Sequence, residues 1–93
     1  MKASLIIPAW NAEKTIEDCI LSAIDADKCP DEILIVDDCS DDKTADIVLQ
    51  LKKDHTRIKL LKMQKNSGPS AARDYGVNQA KGEIIFFTDS DTV

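Results

Sequence analysis

The chain of 93 residues carries a formal net charge of −5, with 43% hydrophobic and 31% charged residues. This length and composition favour a single globular domain over residues 1–93, and the acidic balance without a basic stripe argues against a nucleic-acid partner. No apolar run approaches the ~20 residues that span a bilayer, and Pro8 interrupts the N-terminal run too early for a signal peptide. We therefore expect a cytoplasmic location, with any membrane association on the cytosolic face supplied by other regions.

Apolar runs predict four strands, at residues 3–7, 33–36, 58–63 and 84–87. Three of these runs are typical of buried strands. In the third run, lysines alternate with Leu60, which favours a position nearer a sheet edge. Helical patterns lie between the strands.

The first helix is predicted to be capped by Asn11 and to carry Glu13 in its first turn. The second follows a polar turn at residues 40–42, and the third covers residues 70–81 before Gly82 stops it. Helical spacing also predicts which side chains face the sheet. They are Ile16, Cys19, Ile20, Ala23 and Ile24 in the first helix, Ala45, Val48, Leu49 and Leu51 in the second, and Ala71, Ala72, Tyr75 and Ala80 in the third.

This alternation of strands and helices predicts an α/β fold, a Rossmann-like three-layer α/β/α arrangement around a mainly parallel four-stranded sheet. In such sheets, ligands bind beyond the carboxyl ends of the strands, where the strand order reverses. Polar residues follow three of the strands directly, whereas no comparable cluster precedes them. These residues are Trp10 and Asn11, then Asp37 and Asp38, then Asp89 and Asp91. The sequence therefore predicts a binding crevice at this edge.

Asp89 and Asp91 leave the fourth strand two residues apart, so in an extended chain they point to the same side. Two neighbouring carboxylates repel each other unless a cation or a hydrogen-bond donor lies between them. Mg²⁺ or Mn²⁺ suits such a pair, because it uses one or two carboxylates and completes its shell with water and phosphate oxygens. A solvated acidic turn is the alternative, and an Asp-x-Asp pattern by itself is a weak motif.

Asp37 and Asp38 are adjacent and must point in different directions. One can accept hydrogen bonds from backbone N–H groups of the following turn, which is the role that we expect for Asp37. The other can accept a hydrogen bond from the N–H of a ligand base in the crevice, which is the role that we expect for Asp38.

Trp10 and Arg73 are candidates for binding a nucleotide. The Trp10 ring could stack on a nucleobase, although core packing under the first helix is an equally good reading. Arg73 stands near the start of a helix, where free N–H groups attract phosphate, or it is a surface residue paired with Asp74 or another aspartate. The chain has neither a Walker sequence nor a Gly-x-Gly-x-x-Gly motif, which disfavours nucleotide hydrolases and dinucleotide dehydrogenases.

Four segments in this order resemble the family 2 glycosyltransferases, whose fold is called GT-A. The segments are SLIIPAWN (4–11), EILIVDDCSDD (32–42), NSGPSAARDYG (66–76) and GEIIFFTDSD (82–91). Each is weak alone, but together they span nearly the whole chain. The resemblance implies an inverting transferase that takes a sugar from a nucleotide-diphosphate donor, with uridine as the expected base, to an acceptor hydroxyl on an unknown sugar, lipid or protein. Products of such enzymes include cell-envelope polysaccharides.

The resemblance also implies a role for each matching residue. Asp38 would contact the base edge, and Glu13 would reach the nucleoside. The base pocket would be lined by Pro8, Ala9 and Trp10, and the nucleoside and phosphates would lie near Ala72 and Arg73. Asp89 would approach the ribose or the shell of the ion, and Asp91 would coordinate Mn²⁺ or Mg²⁺ bridging the diphosphate. That ion would offset charge on the departing nucleoside diphosphate.

Two features depart from the family pattern. Cys39 replaces the glycine that usually follows the aspartate pair, so the turn could be shaped differently. The acceptor-binding half and the general base of the family follow the aspartate motif, and no residue of residues 1–93 is matched to that base. We therefore expect no catalytic residue within this chain and no sugar transfer by this chain alone.

Three further hypotheses follow from the sequence. A non-catalytic nucleotide-binding module of the same fold is the main alternative to the transferase. A receiver-like signalling domain ranks far lower, because it needs an aspartate after the third strand, where Met63, Gln64 and Lys65 stand. Residues 84–87 would form an exposed apolar edge strand, which predicts that this chain self-associates or is marginally stable.

Overall fold

The computed structural model describes residues 2–26 and 29–90, in which four strands alternate with three helices. The elements, in chain order, are β1 (Ala3–Ala9), α1 (Ile16–Asp25), β2 (Glu32–Asp37), α2 (Thr44–Asp54), β3 (Ile58–Lys62), α3 (Pro69–Gln79) and β4 (Ile84–Phe87). None of the helices in the described ranges is long and apolar enough to cross a membrane.

The strands form one sheet in the order β3-β2-β1-β4, and every pair in it is parallel. The chain moves outward from β1 to β2 and β3, then returns across the sheet to place β4 on the other side of β1. The strand order therefore reverses between β1 and β4, and the carboxyl ends of these two strands border the switch point. The predicted parallel four-stranded sheet is confirmed, as is the edge position of β3.

Alternating side chains of the buried strands divide the core into two layers. On one face, Leu5 and Ile7 of β1 and Ile33 and Ile35 of β2 pack against α1 and α2. On the other face, Ile6, Leu34 and Val36 pack against Ala72 of α3. Strands covered on both faces need apolar side chains at nearly every position, which explains the unbroken apolar runs. The predicted three-layer α/β/α arrangement is thus confirmed.

β1 is two residues longer than the apolar run predicts. Pro8 and Ala9 remain in register with Val36 and Asp37 of β2. A proline is tolerated there because its fixed φ is compatible with an extended chain and only its missing N–H is lost from the ladder. The extension carries the chain to the edge of the crevice.

α1 begins at Ile16, so the prediction that Asn11 caps it and that Glu13 lies in its first turn is wrong. Asn11 adopts a left-handed backbone conformation with φ of 49°. Asparagine tolerates that region better than most residues, because its short polar side chain can form local hydrogen bonds. The chain therefore turns at Asn11, and residues 12–15 form an irregular connection before the helix.

The inward faces of α2 and α3 differ in part from the prediction. Leu49 is 43% exposed, whereas Val48 is buried and Ile47 packs against the core. Tyr75 is 36% exposed, and the neighbouring Gly76 faces the sheet instead. A Cβ atom added to Gly76 would lie 2.7 Å from Cγ2 of Ile6, so glycine is what lets α3 approach the sheet this closely.

β4 is not the buried strand that its apolar run suggested. It pairs with β1 alone, and Phe86 and Phe87 are 52% and 49% exposed. The apolar run indicated a strand correctly, but burial depends on what covers it. The expected exposed edge at residues 84–87 is therefore present among the described residues.

The amino-terminal end of the sheet, opposite the carboxyl ends that border the switch point, is held by the buried carboxylate of Glu32. Its Oε2 accepts hydrogen bonds from the Ser4 hydroxyl and from the Lys81 N–H at 2.6 Å, and its Oε1 accepts one from Lys59 Nζ at 2.9 Å. The Ser4 oxygen in turn accepts the N–H of Gly82 at 2.8 Å. Burial raises the pKa of Glu32, but these donors outweigh it and hold the pKa at about 2. The network joins β1, β2 and β3 to the connection before β4.

Candidate functional site

A cleft of about 920 Å³ opens at the carboxyl ends of β1, β2 and β4, where the topology places the switch point. Its wall comes from the connection after β1, the turn after β2, the start of α3 and the residues after β4. The lining residues are Pro8, Ala9, Trp10, Asn11, Ala12, Glu13, Lys14, Thr15, Asp38, Asp42, Asn66, Gly68, Pro69, Ala72, Asp89 and Ser90. The cleft thus brings together every candidate site residue in the described ranges except Arg73.

Trp10 lies at the mouth of this cleft, with 55% of its surface exposed. The reading in which it packs in the core under α1 is therefore wrong. Pro8 and Ala9 lie deeper, at the end of β1, and Ala9 is buried. An exposed indole ring beside a small, apolar floor is a surface on which a flat aromatic ring can stack.

The left-handed turn at Asn11 joins the connection after β1 to the turn after β2. Its backbone N–H donates to Ser40 Oγ at 2.9 Å, and its side-chain Oδ1 accepts the N–H of Asp41 at 2.8 Å. Glu13, two residues on, accepts the N–H of Lys43 on its Oε2 at 3.3 Å. Glu13 therefore lies on the cleft wall and not in a helix, with one carboxylate oxygen bonded to the neighbouring loop.

The two adjacent aspartates after β2 do point in different directions. Asp37 accepts the N–H of Ser40 on Oδ1 at 3.0 Å, which is the turn-shaping role expected for it. Asp38 is 3% exposed and points across the cleft to the loop before α3. Its Oδ1 and Oδ2 accept the N–H groups of Ser67 and Gly68, both at 2.8 Å. A carboxylate has about four acceptor sites, so Asp38 retains capacity for a further donor.

The same loop sets the start of α3 against the cleft. Asn66 donates from Nδ2 to the carbonyl oxygen of Asp38 at 3.2 Å, and Gly68 adopts φ of 95°. Pro69 occupies the first turn of α3, where its missing N–H costs nothing. Ala72, one turn further, is fully buried and contributes a small side chain to the cleft wall.

Arg73 does not line the cleft, but it contacts a residue that does. Its Nη2 lies 3.5 Å from Oδ1 of Asp89, and the two side chains are 37% and 68% exposed. Arg73 therefore forms an ion pair with an aspartate other than its neighbour Asp74, which is one of the alternatives that the sequence left open. The backbone of Asp89 is held on the other side, where the thiol of Cys19 lies 3.3 Å from its carbonyl oxygen.

The cleft is acidic, and its chemistry suits a hard cation. Among its described lining residues, four are carboxylates and one is a lysine: Glu13, Asp38, Asp42, Asp89 and Lys14. Within residues 2–26 and 29–90, no three histidine, cysteine or acidic side chains lie close enough together to hold a metal ion. Asp91, the expected main ligand, lies outside the described residues. Asp89 supplies one exposed carboxylate after β4, which fits an ion held mostly by substrate phosphates and water.

Asp42 also belongs to this site, although the sequence predicted it only as part of a polar turn. Asp42 lines the cleft and accepts hydrogen bonds from three donors. Burial raises its pKa, but the hydroxyl and N–H of Thr44 and the N–H of Glu13 together lower it below its usual value of 3.8. An Asp whose carboxylate accepts the N–H two residues further on forms an Asx-turn, and the tendency of Asp to do so could have indicated part of this role.

A family model described as glycosyl transferase family 2 matches residues 4–93. The chain is 41% identical over 88 residues to the putative teichuronic acid biosynthesis glycosyltransferase TuaG of Bacillus subtilis strain 168, covering 95% of this chain and 35% of TuaG. The chain therefore spans about a third of that relative's length.

Solved structures of two glycosyltransferases illustrate the shared fold. The crystal structure of S. aureus TarS 1–349 in complex with UDP-GlcNAc has a TM-score of 0.87 and 37% identity, covering 98% of this chain and 27% of that one. The mannosyltransferase PcManGT of Pyrobaculum calidifontis, in complex with GDP-Man and Mn²⁺, has a TM-score of 0.89 and 26% identity, covering 97% of this chain and 27% of that one. The chain therefore belongs to glycosyl transferase family 2, and its fold is the GT-A fold that the resemblance implied.

Proposed function

We propose that this chain forms the donor-binding part of an inverting glycosyltransferase, and that the cleft holds a uridine-diphosphate sugar with a divalent cation. The observation that carries the proposal is the convergence, in one cleft at the switch point, of an exposed indole, a buried carboxylate and a helix N-terminus. Each of these suits a different part of a nucleotide sugar. The complexes of TarS with UDP and with UDP-GlcNAc support uridine as the base.

The base would lie between Trp10 and the buried Asp38. Stacking on an aromatic ring contributes about 1–3 kcal/mol per base but does not distinguish one base from another. Selection would come from Asp38, because a carboxylate accepts hydrogen bonds and uracil presents N3–H on its pairing edge. Guanine presents an N–H on the same edge, so GDP is the most demanding control. Pro8, Ala9 and Glu13 complete the wall on the nucleoside side.

The diphosphate would lie between the start of α3 and Asp89. The first turn of a helix offers N–H groups without partners and a positive potential to an anion. The acidic lining of the cleft would repel a diphosphate, which is why we propose that a cation accompanies it. Asp89 and Asp91 would hold Mn²⁺ or Mg²⁺, and the ion would neutralise charge on the leaving diphosphate. Arg73, beside Ala72, would reach the phosphates by leaving its contact with Asp89.

The remaining parts of the proposal concern the whole enzyme. The acceptor would be a hydroxyl of a sugar, lipid or protein, and its general base would come from outside these 93 residues. This chain alone would therefore bind donor without making product. The name of TuaG is consistent with a role in cell-envelope polysaccharide synthesis, and we place the domain in the cytoplasm, where nucleotide sugars are made.

The test is calorimetric titration of the chain with UDP, with and without MnCl₂, beside GDP and ADP. We expect binding that needs Mn²⁺ and that is at least about tenfold tighter for UDP than for ADP, a difference of about 1.4 kcal/mol. Asp91→Asn and Asp89→Asn should each weaken binding in Mn²⁺ by about tenfold or more. Asp74→Asn is the matched control, because Asp74 is exposed on α3 and does not line the cleft.

Equal affinity for UDP and ADP would remove the proposed role of Asp38. Binding that is indifferent to Mn²⁺ and to both aspartate variants would remove the metal from the proposal. A folded chain that binds no nucleotide at all would contradict donor binding by these residues.

A further inference from the structure

Three successive N–H groups of the connection after β1 donate to side chains of the loop after β2 and of the first residue of α2. They belong to Asn11, Ala12 and Glu13, and their acceptors are Ser40 Oγ at 2.9 Å, Thr44 Oγ1 at 2.8 Å and Asp42 Oδ2 at 3.2 Å, respectively. Residues 11–13 lie outside the helices and strands, so regular backbone hydrogen bonds do not pair their N–H groups. The three side-chain acceptors pair them instead and thereby fix the backbone conformation. We call these three hydrogen bonds the loop clasp.

Thr44 and Asp42 form the inner part of the loop clasp. Thr44 is fully buried at the first position of α2, and its hydroxyl donates to Asp42 Oδ1 while it accepts the N–H of Ala12. Asp42 Oδ1 also accepts the N–H of Thr44 at 2.9 Å, which leaves Oδ2 for Glu13. The Thr44 hydroxyl therefore links the Asp42 carboxylate to the N–H group of Ala12. Since Asp42 accepts from three donors, its carboxylate is held in the ionised form, with a pKa below its usual value.

Trp10 and Glu13, the two residues that flank Asn11 and Ala12, face the cleft. Trp10 precedes the clasped stretch and is exposed at the cleft mouth, and Glu13 ends it with its carboxylate on the wall. A change in the backbone at Ala12 would move both side chains. Neither Thr44 nor the three clasp bonds are needed to pair the strands, because the sheet register is complete by Ala9 and Asp37.

We propose that Asp42 and Thr44 are positioning residues for the nucleotide: through the N–H groups of Ala12 and Glu13 they orient Trp10 and the Glu13 carboxylate toward the bound base and ribose. This inference rests on the proposed donor-binding function and assigns it two residues outside the base contacts themselves. Trp10 and Glu13 would touch the ligand, whereas Asp42 and Thr44 would act through them.

The test compares Thr44→Val with Thr44→Ser. Valine has nearly the shape of threonine but lacks the hydroxyl, so it releases Ala12 and Asp42 together, whereas serine keeps the hydroxyl. Three quantities are measured at a temperature where every variant is folded: amide hydrogen exchange at Ala12, acrylamide quenching of Trp10, the one tryptophan in the sequence, and affinity for UDP with Mn²⁺.

We expect Thr44→Val to exchange the Ala12 amide about tenfold faster, to change the quenching of Trp10, and to bind UDP about tenfold more weakly. Thr44→Ser should restore all three. A Thr44→Val variant that is folded, exchanges faster at Ala12 and binds UDP as wild type does would overturn the proposal, because the clasp would then be structural only.

Asp42→Asn provides a second route should Thr44→Val not fold. The amide of asparagine places a donor where Asp42 accepts, so it loses the bond to Glu13 or to Thr44. Its matched control is Asp41→Asn, since the exposed carboxylate of Asp41 has no hydrogen-bond partner within the described residues. We expect weaker UDP binding for Asp42→Asn only, and equal affinities would contradict the inference. A wild-type chain that binds no UDP would refute the proposed function instead, and the exchange and quenching measurements would still decide whether the clasp orients Trp10.

Discussion

Replacing Glu32 by glutamine should destabilise the chain and remove a defined part of its acid sensitivity. The Glu32 carboxylate accepts hydrogen bonds from Ser4, Lys81 and Lys59, and its pKa lies at about 2 instead of the usual 4.5. That difference corresponds to about 3 kcal/mol of stability at neutral pH. Lys59 is 42% exposed, so solvent screens its share, and we expect Glu32→Gln to cost about 2 kcal/mol.

The pH dependence has a definite sign. Because the folded pKa of Glu32 is below the unfolded value, its contribution is complete above pH 4.5 and declines as the pH falls toward about 2. The stability difference between wild type and Glu32→Gln should therefore be constant above about pH 5 and shrink below it.

Urea unfolding followed by circular dichroism, at several pH values between 7 and 3, measures this difference directly. Glu83→Gln is the control, since Glu83 is an exposed glutamate that makes no side-chain hydrogen bond or ion pair within the described residues. Equal stability of Glu32→Gln and wild type at pH 7, or the same stability difference at pH 3 as at pH 7, would contradict this role of Glu32.

Three further changes test other parts of the fold. Gly76→Ala should destabilise the chain by about 1–3 kcal/mol in thermal unfolding, because the added Cβ would lie 2.7 Å from Cγ2 of Ile6. Alanine has the better helix propensity, so a stabilised variant would contradict the close approach of α3. Cys39→Gly should stabilise by about 0.5–1 kcal/mol in urea unfolding, because Cys39 has φ of 62°, and any loss would argue against that turn. Light scattering should show concentration-dependent self-association of the chain, and Phe86→Lys should reduce it, because Phe86 is 52% exposed on an edge strand. A chain that stays monomeric at high concentration would contradict self-association through β4.

The sheet and its layers could be predicted because the information for them is local. Each buried strand is an unbroken apolar run, and each helix shows apolar spacing, so the order of elements indicated a parallel sheet. The errors arose at residues whose burial depends on contacts with other elements of the fold. Gly76 faces the sheet because α3 approaches Ile6 closely, which no spacing reveals. Phe86 and Phe87 form a strand as predicted, but their exposure depends on what lies beside β4.

The site was predictable to the extent that strand ends define it. Trp10, Asp38 and Asp89 follow strands, and the rule that ligands bind beyond carboxyl ends of parallel strands places them around one cleft. The start of α1 was not predictable, because the left-handed turn of Asn11 depends on Ser40 and Asp41 in another loop. Hydrogen bonds between residues about 30 positions apart leave no local pattern, and the bond from Glu13 to Asp42 could not be predicted for the same reason.

The location of the bound nucleotide tests the central claim most directly, and amide chemical shifts measured by NMR while UDP and Mg²⁺ are added would report it. We expect the largest changes in the cleft wall, at residues 8–13, at Asp38, and at residues 66–73 and 88–90. Residues on the outer face of α2, such as Leu49 and Lys53, should not respond. Saturable changes confined to the cleft would support donor binding at the switch point. Changes centred on α2, or none in a folded chain, would contradict it.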